Sequence, residues 1–229
     1  IDLSTTSLNP HTTGFMITGN GESLGISVKT AGDIDKDGND DLVIGAYGKN
    51  IQKGAVYVIY GGKKSSMSNI NLGSDTLYPL TTGFTITGNA YGDSLGFSAS
   101  TAGDVNDDGY SDIIVGAFGK STAYVIYGGP RSSMTDIDLS TTTLNPLLTG
   151  FTITGNAAGS DKFGYSVSTA GDINDDGYDD VIIGAYGTGL VYVVYGGKKS
   201  SLSNLNVLTL NPLATGFTIK GNTASDSFG

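Results

Sequence analysis

The sequence repeats itself every 66–69 residues, and this repeat limits the fold more than any other feature of the chain. The segment GF-x-I-x-GN occurs four times, beginning at Gly14, Gly83, Gly150 and Gly216. Successive copies are separated by an acidic segment, a YV-(I/V)-YGG segment and a linker with proline, always in that order. A unit repeated at a fixed period packs against its neighbours to bury one continuous core. The pattern therefore predicts an array of one module rather than two unrelated domains.

Each repeat is predicted to contain four β-strands. Short runs rich in β-branched and aromatic residues, such as LVIGAY, YVIY and FTIT, are separated by clusters of Gly, Asn, Pro and Ser. The segment FGYSVSTAG alternates apolar and small residues, and no segment keeps the 3.6-residue periodicity of a helix. Four strands per repeat is the number in a β-propeller blade. We therefore predict an all-β fold of radially repeated, four-stranded antiparallel sheets.

Each acidic segment has the spacing Asp-x-(Asp/Asn)-x-Asp-Gly-x-x-Asp, with oxygen ligands at positions 1, 3, 5 and 9. The glycine permits a sharp turn, and position 7 is expected to contribute its backbone carbonyl. Such hard oxygen ligands in a flexible loop suit Ca²⁺ better than Mg²⁺, which favours a tight octahedron with retained water. We predict three Ca²⁺ sites, one in each complete repeat. The predicted ligands are Asp33, Asp35, Asp37, Asn39 and Asp41 in the first loop (33–41), Asp104, Asn106, Asp108, Tyr110 and Asp112 in the second (104–112), and Asp172, Asn174, Asp176, Tyr178 and Asp180 in the third (172–180).

The acidic segments differ from EF-hand loops, and they concentrate the charge of the chain. Position 12 is Ile44, Val115 or Ile183, where an EF-hand has a bidentate Glu. The formal net charge is −10, and the three loops contain 14 of the 22 acidic residues. A solvated acidic turn is the alternative for any single loop, but three such loops in register favour bound cations. The negative charge also argues against nucleic acid as a partner.

Enzymatic activity is not predicted, and no catalytic residue is proposed. The chain has no cysteine and one histidine, His11, so the usual nucleophile–base pairs are absent. Other repeats have leucine at the position of His11, which is therefore interpreted as a linker residue. No apolar run is long enough for a membrane span. The first residue is not Met and no signal segment is present, so we expect a mature or excised piece of a longer polypeptide.

Three further sets of recurrent residues leave alternatives open. Two sets of tyrosines are predicted to pack between blades, with binding of sugar or protein as the alternative. The GGKKSS and GGPRSS turns are interpreted as solubilising segments, with contact to an acidic polymer as the alternative. Acidic residues before each FG-like pair are predicted to cap turns rather than line a site. These sets are Tyr57, Tyr124 and Tyr192; Tyr60, Tyr127 and Tyr195; and Glu22, Asp93, Asp161 and Asp226.

The order of these motifs resembles the FG-GAP repeat, the propeller blade of integrin α-subunits and of many bacterial and protist surface proteins. The FG pair corresponds to Leu24-Gly25, Leu95-Gly96, Phe163-Gly164 and Phe228-Gly229. The GAP triplet, with an aromatic residue in place of its Pro, corresponds to Gly45-Ala46-Tyr47, Gly116-Ala117-Phe118 and Gly184-Ala185-Tyr186. The resemblance implies blades at 21–90, 91–158 and 159–222, preceded by a linker and outer strand at 1–20 and followed by the start of another blade at 223–229.

The resemblance also implies the function. We expect a calcium-stabilised β-propeller segment, extracellular or on the cell surface, for cell adhesion or for recognition of protein or glycan. Its ligand-binding residues stay unknown. Three blades do not close a ring, so the expected partners are further blades of the same chain or other copies of it, with extracellular protein or glycan as further candidates. The alternatives are a structural subunit or repeat array of a self-assembling extracellular fibre or surface coat, and an accessory domain of a larger secreted enzyme.

Overall fold

The computed structural model describes residues 8–156, 160–222 and 228–229. The strands within these ranges are β1 (Ile17–Thr18), β2 (Leu24–Gly32), β3 (Asp41–Ala46), β4 (Ala55–Ile59), β5 (Ile70–Asn71), β6 (Gly83–Thr87), β7 (Leu95–Gly103), β8 (Asp112–Ala117), β9 (Thr122–Ile126), β10 (Ile137–Asp138), β11 (Gly150–Thr154), β12 (Phe163–Gly171), β13 (Asp180–Ala185), β14 (Leu190–Val194), β15 (Leu205–Asn206) and β16 (Gly216–Lys220). Short helical segments occupy Lys49–Gln52, Lys64–Ser66 and Val207–Thr209, and none of these described segments is long enough to cross a membrane.

Each complete repeat folds into one antiparallel sheet whose four main strands follow one another in chain order. The first sheet contains β2, β3, β4 and β6, the second β7, β8, β9 and β11, and the third β12, β13, β14 and β16. The apolar runs that follow the acidic segments form the second strand of each sheet, and β8 is buried at every residue. The prediction of an all-β fold with four-stranded blades is confirmed.

A further two-residue strand from the following repeat joins the outer edge of the first and second sheets, and a third such strand pairs with β1; sequence reasoning did not predict these strands. Strands β5, β10 and β15 pair in parallel with β1, β6 and β11, respectively. A polar side chain just before each added strand accepts a hydrogen bond from a backbone N–H on the edge it joins. These bonds join Met16 N to Asn69 Oδ1 (2.9 Å), Thr85 N to Asp136 Oδ1 (2.7 Å) and Thr152 N to Asn204 Oδ1 (2.9 Å).

The hydrophobic core lies between successive sheets. One buried cluster combines Phe84 and Ile86 of the first sheet with Ile113 and Val115 of the second. A second cluster packs the second sheet against the third in the same way. Because the middle sheet is covered on both faces, its second strand, β8, is buried along its whole length.

The glycines of the FG-like and GA motifs meet where neighbouring sheets contact each other. A Cβ atom at the GA glycine would lie less than 2 Å from the carbonyl oxygen of the FG glycine in the next repeat. This close approach of the two backbones therefore requires glycine at the GA position. The pairs, with that distance, are Gly45 with Gly96 (1.8 Å), Gly116 with Gly164 (1.9 Å) and Gly184 with Gly229 (1.9 Å). The FG-like and GA motifs are therefore the points at which successive sheets contact each other.

The proposed blade boundaries stay a prediction, because the sheets fix the strands but not the division of the loops between them. Residues 1–7, 157–159 and 223–227 lie outside the described residues, and with them the predicted boundary at 158/159, Asp226, most of the predicted start of another blade and part of the N-terminal linker.

Candidate metal centres

The three acidic loops share one backbone conformation. Each connects the first strand of its sheet to the second, and in each the residues at positions 4 and 6 have positive φ angles. In the first loop these angles are 61° at Lys36 and 89° at Gly38. The matching residues of the other loops are Asp107, Gly109, Asp175 and Gly177, with φ between 55° and 88°. Three copies of the same uncommon turn indicate that the spacing of the ligands, and not only the acidic composition, is repeated.

The aspartate at position 1 organises each loop by accepting backbone hydrogen bonds. Asp33 Oδ1 accepts from the N–H of Asp37 at 3.0 Å, and its Oδ2 accepts from the N–H of Gly38 at 2.9 Å. The same two bonds form at Asp104 and at Asp172. At Asp172 the N–H of Gly177 lowers the pKa of the carboxyl, because it stabilises the charged form.

The first loop brings three predicted ligands together. The carboxylates of Asp33, Asp35 and Asp37 each offer an oxygen, and these oxygens all lie within 4.8 Å of one another. The side chain of Asp35 is almost completely buried. Three carboxylates so close together repel one another unless a positive charge lies near them, and their hard oxygens are ligands of the kind that Ca²⁺ takes.

The second loop contains a buried acceptor that points to the same conclusion. Asn106 at position 3 is buried, and its Nδ2 donates to Asp112 Oδ2 at 3.0 Å. Its Oδ1 is one of the buried side-chain oxygens that have no hydrogen-bond partner among the described residues. An unpartnered buried oxygen costs free energy, and a cation held by this loop would satisfy it.

The third loop has the same donors in a more exposed setting. Asn174 Oδ1 accepts from the N–H of Asp176 at 3.0 Å, and its Nδ2 donates to Asp176 Oδ2 at 3.0 Å. Residues 172–177 are exposed, whereas Tyr178 and Asp179 are half-buried and Asp180 is buried. The loop conformation is therefore set by its own hydrogen bonds rather than by burial.

The aspartate at position 9 anchors each loop to the end of the third strand. Asp41 is fully buried, with Oδ2 accepting from the N–H of Ile34 at 2.9 Å and Oδ1 from the N–H of Gly61 at 2.7 Å. Equivalent bonds form at Asp112 and Asp180. Burial raises the pKa of Asp41 to about 6, and it raises the pKa of Asp112 and Asp180 as well, while the two N–H donors oppose the shift.

Positions 7 and 9 remain predicted ligands. Asp41 lies outside the cluster of three carboxylates in the first loop, but each of its oxygens keeps a second lone pair. At position 7 the backbone N–H groups donate to Oδ1 of the position-5 aspartate, at 2.9 Å for Asn39 and 3.0 Å for Tyr110 and Tyr178. These bonds turn the position-5 carboxylate toward the loop.

Sequence reasoning missed the basic residues that contact the acidic loops from the following repeat. Arg131 Nη2 lies 2.7 Å from Asp37 Oδ2, and its Nε contacts Asp35 Oδ2. Lys199 Nζ lies 2.6 Å from Asp108 Oδ2. Arg131 and Lys199 occupy the same position of the GG-x-(K/R)-SS turn, so the interpretation of these turns as solubilising segments is wrong for both residues. The available signal was that Arg131 and Lys199 each follow the first aspartate of the acidic loop in their own repeat, Asp104 and Asp172, by 27 residues.

Five of the six recurrent tyrosines are buried in hydrophobic clusters, which supports packing rather than ligand binding, whereas Tyr195 is half-buried. The buried tyrosines are Tyr57, Tyr60, Tyr124, Tyr127 and Tyr192. The carboxylate of Asp93 accepts from the N–H of Ala90 at 3.0 Å, as expected for a turn cap. His11 is exposed, with its Nδ1 3.3 Å from the carbonyl oxygen of Lys64.

Stacked four-stranded sheets, each with an aspartate-rich loop between its first two strands, define a segment of a repeat-built β-propeller with candidate cation sites. The FG-GAP repeat family matches this chain at residues 27–59 and 163–194. The chain therefore carries FG-GAP repeats, as the sequence motifs predicted.

The chain is also similar to integrin alpha chains. Integrin alpha pat-2 from Caenorhabditis elegans is 31% identical over 230 residues, which cover 91% of this chain and 17% of that protein. Integrin alpha-5 from Xenopus laevis is 34% identical over 142 residues, covering 59% of this chain and 12% of that protein. Phosphatidylinositol-glycan-specific phospholipase D from Bos taurus is 35% identical over 133 residues, covering 49% and 14%, respectively. The chain spans between 12% and 17% of the length of these three relatives.

Proposed function

We propose that this chain is a Ca²⁺-stabilised propeller segment that serves adhesion or recognition outside the cell. The observation that carries the proposal is the cluster of Asp33, Asp35 and Asp37, whose oxygens lie within 4.8 Å of one another in a loop conformation that recurs in each repeat. Similarity to integrin alpha chains supports the adhesion or recognition role. Outside the cell, millimolar Ca²⁺ saturates even weak loop sites, which supports the proposed location.

The residues at positions 1, 3, 5 and 9 would hold the ion, together with the carbonyl at position 7. Bound Ca²⁺ supplies the positive charge that the carboxylates need and ties the first strand of a blade to the second. The unfolded chain has no preformed site, so the free energy of binding adds to the free energy of unfolding. At a free Ca²⁺ concentration about 100 times Kd, each site contributes about 2.7 kcal/mol.

Thermal unfolding with excess Ca²⁺ and with chelator tests the proposed sites. For a chain of this size each kcal/mol raises Tm by about 2–4 °C, so three occupied loops give a large Ca²⁺-dependent increase. Asp33→Asn should reduce this increase, because it removes charge at a position-1 ligand. Asp40→Asn is the matched control, since it removes the same charge from the exposed position 8 of the same loop. An equal Tm with and without Ca²⁺ would contradict the metal assignment.

Further blades, in the same polypeptide or in other copies, are the proposed partners. Val28 of β2 is 54% exposed and Ile173 of the third loop is 48% exposed, whereas their equivalents within the array are buried. The two end faces of the described array are thus the faces that neighbouring blades cover elsewhere. Light scattering tests this proposal: a mass above that of one chain, lost when Val28→Asp is introduced, supports association of copies. The mass of a single chain at all concentrations would contradict association of copies and would leave blades of the same polypeptide as the proposed partners.

A self-assembling fibre or coat is the second candidate function, supported by the near-identity of the repeats and the same exposed end faces. Electron microscopy separates the two candidates, since regular filaments favour assembly and discrete particles favour a recognition segment. The similarity to a phospholipase D by name supports the third candidate, an accessory domain of a larger enzyme. We propose no catalytic residue within this chain.

A further inference from the structure

We propose that Arg131 and Lys199 are internal counter-ions for the acidic loops of the preceding repeats and compete with Ca²⁺ for them. The two residues are called here the turn cations. The inference rests on the proposed function, because it treats the acidic loops as Ca²⁺ sites. It adds that the loops differ in affinity, and that Ca²⁺ binding is coupled to the contact between successive blades.

Arg131 reaches the first acidic loop from the neighbouring blade. Its guanidinium contacts Asp35 and lies 2.7 Å from Asp37 Oδ2, and its central carbon lies 4.5 Å from the centroid of the Tyr60 ring. Tyr60 follows the third strand of the same sheet as the first loop. The charged group is therefore held between an aromatic face and two carboxylates of a blade to which it does not belong.

Lys199 repeats this arrangement one blade further along. Its Nζ lies 2.6 Å from Asp108 Oδ2 and 4.9 Å from the centroid of the Tyr127 ring. Asp108 and Tyr127 are the equivalents of Asp37 and Tyr60 in the next repeat. The same contact of a cation with an aspartate and a tyrosine occurs at two successive interfaces. It is therefore a recurrent feature of the repeat rather than a chance ion pair.

The third loop differs from the other two. Within the ranges that the structure describes, the ion pairs formed by Lys and Arg reach the first and second loops but not the carboxylates of residues 172–180. Within the described residues the third loop therefore serves as an internal reference for the other two. Arg131 bridges two carboxylates of the first loop, Lys199 contacts one carboxylate of the second, and no turn cation is described at the third.

The oxygens that the turn cations contact belong to positions 3 and 5, which are the proposed Ca²⁺ ligands. A positive charge within a few ångströms repels the arriving ion and occupies lone pairs that the ion would use. With screening at the protein surface, removing such a charge is expected to raise affinity about 3- to 15-fold. By thermodynamic linkage, Ca²⁺ bound at the first loop weakens the ion pairs of Arg131 with Asp35 and Asp37 by the same factor.

Site-resolved Ca²⁺ titration by NMR tests the inference on the intact chain. The amides of Gly38, Gly109 and Gly177 report on the first, second and third loops, because each donates to the position-1 aspartate of its own loop. Arg131→Gln should raise the Ca²⁺ affinity reported by Gly38 alone, and Lys199→Gln should raise the affinity reported by Gly109 alone. Affinity at Gly177 should stay within about twofold of the wild type in both variants.

Lys198→Gln is the matched control, because it removes the same charge from the residue next to Lys199 without removing a described ion pair. In chelator, Arg131→Gln and Lys199→Gln should lower Tm more than Lys198→Gln does. Unchanged or weaker Ca²⁺ binding at Gly38 and Gly109, with normal binding at Gly177, would overturn this inference alone. Absence of binding at all three glycines in every variant would overturn the proposed function as well.

Discussion

The carboxylates of each acidic loop have two different roles, separated by their position in the loop. Those at positions 1, 3 and 5 gather in the first loop, with Asp33 fixed by backbone N–H groups. The one at position 9, such as Asp41, is buried and bonded on both oxygens to the backbone. A loss of charge at position 1 should therefore weaken cation binding, whereas a loss at position 9 should first weaken the fold.

The close contact between the GA and FG glycines predicts that adding one methyl group there will destabilise the fold. Gly116→Ala would place a Cβ atom 1.9 Å from the carbonyl oxygen of Gly164, so the two sheets must move apart. We expect a loss of about 1–3 kcal/mol or more in the free energy of unfolding, measured by urea denaturation. Gly129→Ala is the control, because its nearest neighbours are the ends of flexible side chains, beginning with Ser133 Oγ at 3.1 Å. Equal effects of the two substitutions would contradict the close contact.

The buried tyrosines give a prediction for alkaline pH. Burial raises the pKa of Tyr60 and Tyr127 above the usual value, and nearby aspartates reinforce the shift. The folded state thus keeps protons that the unfolded chain loses above about pH 10. The free energy of unfolding should be independent of these groups below that pH and should fall above it, by about 1.4 kcal/mol per pH unit for each tyrosine.

Ultraviolet titration of tyrosinate checks this expectation. Tyr60 and Tyr127, which are buried, should ionise only as the protein unfolds. Complete ionisation of all tyrosines with the near-ultraviolet circular dichroism of the folded state retained would show that these phenols are accessible, contrary to the structure.

At the scale of strands, the short parallel pairs β1–β5, β6–β10 and β11–β15 each connect one repeat to the edge strand of the preceding repeat. The added strands β5, β10 and β15 are called ties here. Each tie has only two strand residues, but a side-chain acceptor precedes it, such as Asn204, whose Oδ1 accepts from the N–H of Thr152 at 2.9 Å. An edge strand with unpaired backbone groups recruits other chains. The ties therefore protect the outer edges β1, β6 and β11.

Removing one side-chain acceptor tests the tie. Asn204→Ala should lower the free energy of unfolding by about 1 kcal/mol, because a backbone donor on β11 loses its partner. Ser203→Ala changes the adjacent exposed residue without removing a described hydrogen bond and should have a smaller effect. Chemical denaturation measures both, and equal midpoints would indicate that water replaces the Asn204 acceptor without cost.

At the scale of the whole molecule, the array behaves as a stack in which each sheet depends on its neighbours. The first strand of the middle sheet, β7, is covered by adjacent blades, whereas much of β2 is exposed although it occupies the same place in its own sheet. The stability of such arrays is close to a sum of repeat and interface contributions. End repeats should therefore open more readily than the middle one.

Hydrogen exchange at a concentration where the chain is a monomer measures this difference. The amides of β7 should exchange more slowly than the matching amides of β2, although both strands pair antiparallel with the next strand of their sheet. Equal protection of β2 and β7 would mean that the molecule opens as a single unit.

The strands of each repeat and the candidate metal ligands could be predicted from local sequence patterns. Four strands per repeat follow from short β-branched runs bounded by turn residues, and the candidate ligands follow from one spacing used three times. These signals lie within about ten consecutive residues, so a single sequence contains them. The two-residue strands β5, β10 and β15 carry too little pattern to be recognised, because periodicity needs a longer run.

Local sequence patterns are sufficient to define the module, its period and the acidic loops, because strand patterning and turn chemistry are properties of neighbouring residues. Which distant groups meet depends instead on how the sheets stack. Arg131 contacts Asp35 and the GA glycine Gly116 contacts Gly164 because the stacking of sheets brings different motifs of successive repeats together in the same way at each interface. The stacking buries the core between sheets, and the same geometry places each turn cation on the preceding acidic loop.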